Sequence, residues 1–105
     1  MESSYVTIIR ALNNPMRRII LRTICENPYS INDLEEKLDA ENVDYKSRDS
    51  LYKQAELLVD AGLLEKFYDI KKKAITYNNP VTQVVIDIEN LTVQMMKQER
   101  KIVQA

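Results

Sequence analysis

Side chains that could carry out catalysis or bind a metal are scarce in this sequence. Its 105 residues include no histidine and one cysteine, Cys25. The chain therefore has neither a Cys/His zinc pattern nor a nucleophile–histidine pair for acyl transfer. Sites made only of carboxylates stay open, but no calcium-loop spacing is present. We predict that the protein is not an enzyme and that it has no cofactor and no metal.

The single cysteine has two interpretations. Cys25 lies next to Ile24 and near Leu21, on what would be the apolar face of a helix. We expect it to be buried as a small apolar side chain. A redox switch is the alternative, and it would require an exposed and reactive thiol. One cysteine cannot form an internal disulfide, which fits a reducing compartment, and we expect the protein to be cytoplasmic.

Basic side chains offer a different chemistry, the binding of phosphate. The formal net charge is −1, so any surface that attracts nucleic acid must be local. A lysine run, Lys71, Lys72 and Lys73, with Lys66 nearby, could neutralise backbone phosphates. Arg17, near a predicted helix start, could contact the backbone as well. The alternatives are lysines that keep an exposed tip soluble and arginines that pair with acids.

A second group of candidates lies on a helix predicted over residues 46–61. Leu51, Ala55 and Leu58 have the spacing of a buried face. The N-terminal half of this helix would then direct a set of polar and aromatic side chains outward: Ser47, Arg48, Ser50, Tyr52, Lys53 and Gln54. Arg48 could bind guanine, Gln54 could pair with adenine, and the serines could contact phosphate or base. A solvated helix face is the alternative.

Local signals predict the elements that would position these groups. A first helix is expected over residues 4–12, and Asn14-Pro15 predicts the start of a second helix that continues to residue 26. The capping box of Ser30 and Asp33 predicts a short helix that ends near residue 38. Gly62 is expected to end the helix over residues 46–61. Residues 63–70 and 74–78 then predict a β-hairpin with the lysine run at its tip.

The C-terminal segment shows a heptad pattern. Asn79-Pro80 predicts the start of a long helix that reaches about residue 104. Apolar residues on that helix would form a coiled-coil seam, and with two residues of the first helix they make up the predicted dimer interface. That interface comprises Val6, Ile9, Val81, Val84, Ile88, Leu91, Met95 and Ile102. A stripe buried against its own domain is the alternative.

The order of these elements predicts the fold class. It is mainly α with a small β-hairpin: a winged helix-turn-helix over residues 1–79 and a dimerisation helix over residues 80–105, in the same compact unit. A chain of 105 residues fits one domain. No apolar run is long enough to cross a bilayer, so we expect no membrane partner.

Two stretches resemble the ArsR-like family of winged helix-turn-helix regulators. Residues 14–21, NPMRRIIL, resemble the opening of the family's second helix. Residues 57–64, LLVDAGLL, resemble the end of its recognition helix and the start of its wing. The resemblance covers about residues 5–79. It implies a dimeric repressor or activator that recognises DNA with the second helix of the motif. The ligand sets of the family's metal sensors are absent here, and the connection over residues 39–46 is longer than usual.

These observations together predict a sequence-specific DNA-binding transcriptional regulator that acts as a homodimer on double-stranded DNA. The recognition helix would enter the major groove, and the wing would contact the phosphate backbone. The net charge of −1 keeps one alternative open. In that alternative the chain is a winged-helix module that binds other proteins and has no specific affinity for DNA.

Overall fold

The structure of the protein is a computed structural model that describes residues 4–97. The helices of this range are α1 (Ser4–Leu12), α2 (Pro15–Glu26), α3 (Ile31–Ala40) and α4 (Arg48–Asp60). Its strands are β1 (Tyr29–Ser30), β2 (Glu65–Asp69), β3 (Ala74–Asn78), β4 (Val81–Asp87) and β5 (Thr92–Lys97). Within the described range no helix is long and apolar enough to cross a membrane.

Helix α2 begins where the sequence predicts. Asn14 has an extended backbone, and its side-chain oxygen accepts a hydrogen bond of 3.0 Å from the amide of Arg17. Pro15 occupies the first helical position, where a missing N–H costs nothing. The helix buries Ile20 and Ile24 completely. Helix α2 contacts α1, α4 and β3.

Helices α3 and α4 both start at a serine cap. The predicted capping box forms: Ser30 Oγ accepts from the amide of Asp33 (3.1 Å), and the Asp33 carboxylate accepts from the amide of Ser30 (2.9 Å). In α4 the cap is Ser47, whose Oγ accepts from the amide of Ser50 at 3.1 Å. Helix α4 therefore begins at Arg48, slightly later than the predicted residue 46.

Gly62 ends α4 in the predicted way. Its φ of +80° lies in the left-handed region, where a side chain would be strained. The amide of Gly62 donates to the carbonyl of Val59 and the amide of Leu63 donates to that of Leu58, both at 2.9 Å. This is the Schellman pattern, which satisfies the last carbonyls of a helix. The chain leaves α4 there and enters the first hairpin.

The hairpin β2–β3 forms as expected, and β1 adds a third, unpredicted strand in the order β1-β3-β2. Both pairs are antiparallel. The tip has no glycine. Instead Asp69 Oδ1 accepts from the amides of Lys71 (2.9 Å) and Lys72 (3.1 Å), and Lys73 adopts a φ of +53°. We call β2, β3 and this tip the wing.

The predicted C-terminal helix is wrong over residues 81–97. These residues form a second antiparallel hairpin, β4–β5, and no coiled-coil seam exists there. Residues 98–105, including Ile102 of the predicted seam, lie outside the described residues. The segment Val81–Asp87 contains valine, threonine and isoleucine, and such β-branched side chains favour strands over helices.

The turn of the second hairpin is built by its own side chains. Asp87 Oδ1 accepts from the amide of Asn90 (3.1 Å), and Asn90 Nδ2 donates to Asp87 Oδ2 (2.9 Å). Leu91 then takes a left-handed φ of +52°. The register pairs Val84 with Met95, so these two positions of the predicted seam are cross-strand neighbours within one hairpin.

One hydrophobic core connects these elements. Its fully buried members come from all four helices and from the first sheet, and include Ile8, Ile20, Ile24, Leu34, Leu38, Leu51, Leu58 and Tyr77. Strand β5 packs on α1, and Val84, Val93 and Met95 pack on the edge of the core. The second hairpin therefore covers the same core as the helices.

Candidate nucleic-acid interface

Helix α4 and the wing are held side by side by one glutamate. Glu56 of α4 pairs with Lys66 Nζ of β2 at 2.7 Å and accepts from the hydroxyl of Tyr77 in β3 at 2.7 Å. The hydrogen bond from Lys66 holds the pKa of Glu56 below its usual range. Burial and then the bond to Glu56 raise the pKa of Tyr77. Lys66, a predicted phosphate ligand, is thus part of the link between helix and wing.

The start of α4 is attached to α3 through Arg48. The guanidinium Nη1 donates to Glu35 at 2.6 Å and also to Asn32. About half of the Arg48 side chain stays exposed (52%), so the pair lies at the surface. A surface pair of this kind contributes less than about 1 kcal/mol and can exchange partners. Arg48 is therefore positioned beside the helix start by an acid of the preceding helix.

Arg17 lies inside the helical layer. Its Nε donates to the carbonyl of Ala11 (2.6 Å) and its Nη2 to that of Arg10 (3.0 Å). Its Nη1 donates to Gln54 Oε1 at 2.6 Å. These bonds tie α1, α2 and α4 together. Two residues predicted to contact DNA, Arg17 and Gln54, are thus engaged with each other and only partly exposed.

Tyr52 and Lys53 occupy the outward side of α4. Both are exposed, and 50% of the Tyr52 surface is accessible. Within residues 4–97 we find no hydrogen bond or ion pair from either side chain. The remaining predicted serines have other surroundings, since Ser47 caps the helix and Ser50 is half-buried. Of the predicted α4 residues, Tyr52 and Lys53 are the most available to a partner.

The lysines of the wing tip differ from one another. Lys72 Nζ bonds to the Asp33 carboxylate at 2.8 Å and to the carbonyl of Pro28 at 3.4 Å. Burial raises the pKa of Asp33, but the bonds from Lys72 and Ser30 outweigh it and leave that pKa lowered. Lys71 and Lys73 are exposed and form no ion pair in the described part of the chain. The tip therefore presents two unengaged ammonium groups.

The residues of the predicted dimer interface do not form one stripe. Val81 is buried, and Val6, Val84 and Met95 are half-buried. Ile9 is exposed to 47%, whereas Ile88 and Leu91 lie at the turn of the second hairpin and are exposed to 81% and 54%. The structure brings Val84 and Met95 together as a cross-strand pair inside one chain.

Sequence reasoning missed the acids that hold the cations. Arg48 and Glu35 are 13 residues apart, and Lys72 and Asp33 are 39 apart. No local spacing rule reports pairs at such separations. Sequence reasoning also misplaced Cys25, which is exposed rather than buried. It lies at the outer side of α2, where Asn79 Nδ2 approaches its sulfur at 3.0 Å.

Acidic and cysteine side chains are the potential metal ligands among the described residues. The chain has no histidine. Within residues 4–97 no three acidic or cysteine side chains come close enough together to hold an ion.

The comparisons with known proteins show similarity in fold. Neither a family model nor a curated protein matches this chain. A solved structure described as a manganese uptake regulator has a similar fold, with a TM-score of 0.53 and 17% sequence identity. The match covers 93% of this chain and 76% of that chain. The fold of the present protein, four helices with small antiparallel sheets, is thus similar to that of this solved structure.

Proposed function

We propose that this protein is a cytoplasmic, sequence-specific DNA-binding transcriptional regulator that acts as a homodimer. Helix α4 would enter the major groove of double-stranded DNA, with its N-terminal half on the base edges. The wing would lie along the phosphate backbone. The protein resembles ArsR-like regulators in the two stretches at residues 14–21 and 57–64, and its fold is similar to that of a manganese uptake regulator.

One observation carries this proposal. The outward side of α4 is accessible, and Glu56 fixes the wing beside it through Lys66 and Tyr77. A helix flanked by a hairpin with an exposed basic tip matches the shape and charge of a major groove with its adjoining backbone. The side chains that extend from this surface without an ion pair among the described residues are Lys53, Lys71 and Lys73.

The acids beside the other cations set an expectation for affinity. Arg48, Lys66 and Lys72 each have a carboxylate within 2.8 Å, so part of their charge is already neutralised. If three free lysines contact phosphate, the logarithm of the binding constant should fall with the logarithm of salt by about 0.9 for each contact. Non-specific DNA should therefore bind weakly, which fits the net charge of −1.

The experiment is a selection from random duplexes by the purified chain, followed by binding measurements at several salt concentrations. We expect one sequence to be enriched. Lys71→Ala and Lys73→Ala should weaken binding to all duplexes alike and reduce the salt dependence, because they remove phosphate contacts. Arg48→Ala should relax the base preference. Lys97→Ala, an exposed lysine on β5, is the matched control and should change neither property.

The homodimer is a part of the proposal with its own test. Ile88 and Leu91 are exposed apolar residues at one turn, and Ile9 is an exposed apolar residue on α1. We expect these side chains to be covered by a second copy of the chain. Sedimentation should then show a dimer at micromolar concentration, and Ile88→Ser with Leu91→Ser should shift it toward the monomer. A wild-type monomer would contradict this part of the proposal.

A winged-helix module that binds proteins is the second candidate. It is favoured by exposed apolar side chains, namely Tyr52 on α4 and Tyr68 and Ile75 on the wing, and by the acids that neutralise neighbouring cations. The selection experiment distinguishes the two candidates. If a folded dimer enriches no duplex above background, DNA recognition is overturned and the protein-binding module takes its place.

A further inference from the structure

The polar groups of α4 that could recognise base edges are largely occupied. Arg48 donates to Glu35 and Asn32, and Gln54 accepts from Arg17. Hydrogen-bond recognition of guanine or adenine by these side chains would require those bonds to break first. The large side chain that is both outward and without such a bond among residues 4–97 is Tyr52.

The position of Tyr52 follows from helix and strand periodicity. It precedes Glu56 by one turn, so both residues lie on the same side of α4. Glu56 faces the sheet face that carries Lys66 and Tyr77, which are paired across β2 and β3. Because strand side chains alternate, that same face continues toward the wing tip with another cross-strand pair.

The next pair along this face is Tyr68 and Ile75. The N-terminal half of α3 bonds to both the start of α4, through Arg48, and the wing tip, through Lys72. The start of α4 and the tip of the wing therefore lie at the same end of the molecule. Tyr52 and the pair Tyr68–Ile75 consequently lie on the sides by which α4 and the wing face each other. Their surfaces are exposed to 50%, 53% and 46%.

We propose that Tyr52 determines specificity by packing against the C5 methyl group of a thymine in the major groove. This inference rests on the proposed function and names the chemistry that α4 recognises. An exposed aromatic ring offers apolar contact, and the thymine methyl is the apolar group that a base pair presents in that groove. Lys53, the next residue, would hold the neighbouring phosphate and keep the ring against the bases.

The test uses the duplex obtained by selection. Each thymine is replaced in turn by uracil, which removes the methyl group and leaves base pairing intact. At one or two positions the dissociation constant of the wild-type protein should rise about fourfold, the effect of exposing one buried methyl-sized group. Cytosine at such a position should bind more weakly than 5-methylcytosine by a similar factor, which compares the two sources of a C5 methyl.

Protein variants then assign the effect to Tyr52. Tyr52→Ala should bind the thymine and uracil duplexes equally, whereas Tyr52→Phe should keep the preference because the hydroxyl is not needed. Leu57→Ala is the matched control, since Leu57 is an apolar residue of α4 exposed to 48%, and it should also keep the preference. Circular dichroism of each variant should be unchanged, because Tyr52 and Leu57 are outside the core.

The outcomes separate this inference from the proposed function. A selected duplex that binds equally well with uracil at every position overturns the role of the methyl group and leaves DNA recognition standing. Persistence of the thymine preference in Tyr52→Ala overturns the assignment to Tyr52. Failure to select any duplex overturns the proposed function and this inference with it.

Discussion

Asn14-Pro15 and Asn79-Pro80 are the same dipeptide, yet α2 follows the first and β4 follows the second. Both asparagines use the side-chain oxygen in the same manner. Asn14 Oδ1 accepts from the amide three residues on, at Arg17, and Asn79 Oδ1 accepts from the amide two residues on, at Val81, each at 3.0 Å. Each asparagine therefore determines only the conformation of the two or three residues that follow it.

The residues that follow decide which structure forms. After Pro15 the chain reads MRRIIL, with unbranched side chains first, and it buries Ile20 among the helices. After Pro80 it reads VTQVVI, in which β-branched side chains predominate and lose rotamer freedom in a helix. The side chain of Asn79 is also bonded to α2, because its Nδ2 donates to the carbonyl of Leu21 at 3.2 Å. A shared cap with different continuations thus yields different elements.

The largest expected difference between the two segments is in stability. Ile20→Ala should lower the free energy of unfolding by about 3 kcal/mol, since it leaves a cavity at a fully buried site. Val84→Ala in β4 should cost about 1 kcal/mol, because Val84 is only half-buried. Urea denaturation of the two variants measures both values. Equal losses would show that the second hairpin is as much a part of the core as α2.

The two asparagines themselves provide the next test. Asn79→Ala removes a buried side chain with bonds to Val81, Leu21 and Cys25, and should cost about 2 kcal/mol. Asn14→Ala removes one cap and should cost about 1 kcal/mol. Thermal unfolding followed by circular dichroism compares them. A larger loss in Asn14→Ala would mean that Asn79 acts only as a turn residue.

The same contrast explains how far the sequence was informative. The starts of α2 and α3 and the stop at Gly62 depend on residues within a few positions of one another, and each was predicted. The second hairpin was missed because apolar residues such as Val84 and Met95 fit a heptad as well as a strand. β-Branching was the signal that distinguished the two.

The candidate site was predictable only in part. Tyr52, Lys53 and the lysines of the wing tip were predicted from local pattern to contact DNA; that prediction is untested, and the structure leaves these side chains exposed. The partners of Arg48 and Lys72 were not, because Glu35 and Asp33 are distant in sequence. Folding brings these acids to the cations, and no spacing rule reports such contacts.

Gly62, which ends α4, lies in space next to Met95 of the second hairpin. Its substitution provides a test with a smaller expected effect. Gly62→Ala should lower the free energy of unfolding by about 1 kcal/mol, because an alanine is strained at a φ of +80°. Space is not the cause, since an added Cβ would meet the Met95 methyl at an ordinary 3.8 Å. Gly62→Asn should be milder, because asparagine tolerates this region. Urea denaturation measures the free energy of unfolding of both variants. Equal decreases would indicate steric rather than conformational strain.

The smallest expected effect concerns two acids, Asp87 in the second hairpin and Asp33 in α3. Hydrogen bonds from Asn90 lower the pKa of Asp87 at the turn of the second hairpin. In α3, burial raises the pKa of Asp33, but the hydrogen bonds from Lys72 and Ser30 lower it by more. The pKa of Asp33 is therefore below its ordinary value of 3.8. A carboxyl group whose pKa is lowered by folding stabilises the fold at pH values above its ordinary pKa. This stabilisation is lost as the pH falls through the lowered pKa.

Asp33→Asn and Asp87→Asn separate the two contributions. Each variant should be slightly less stable than the wild type at pH 7, by less than about 1 kcal/mol for Asp33→Asn, because the acid interacts at the surface. Each should also lose less stability than the wild type when the pH falls below about 4, since the titrating group is gone. Urea denaturation at pH 7 and pH 3 gives the comparison. If only Asp33→Asn flattens the pH dependence, the capping box of α3 contributes to folding stability in acid and the turn of the second hairpin does not.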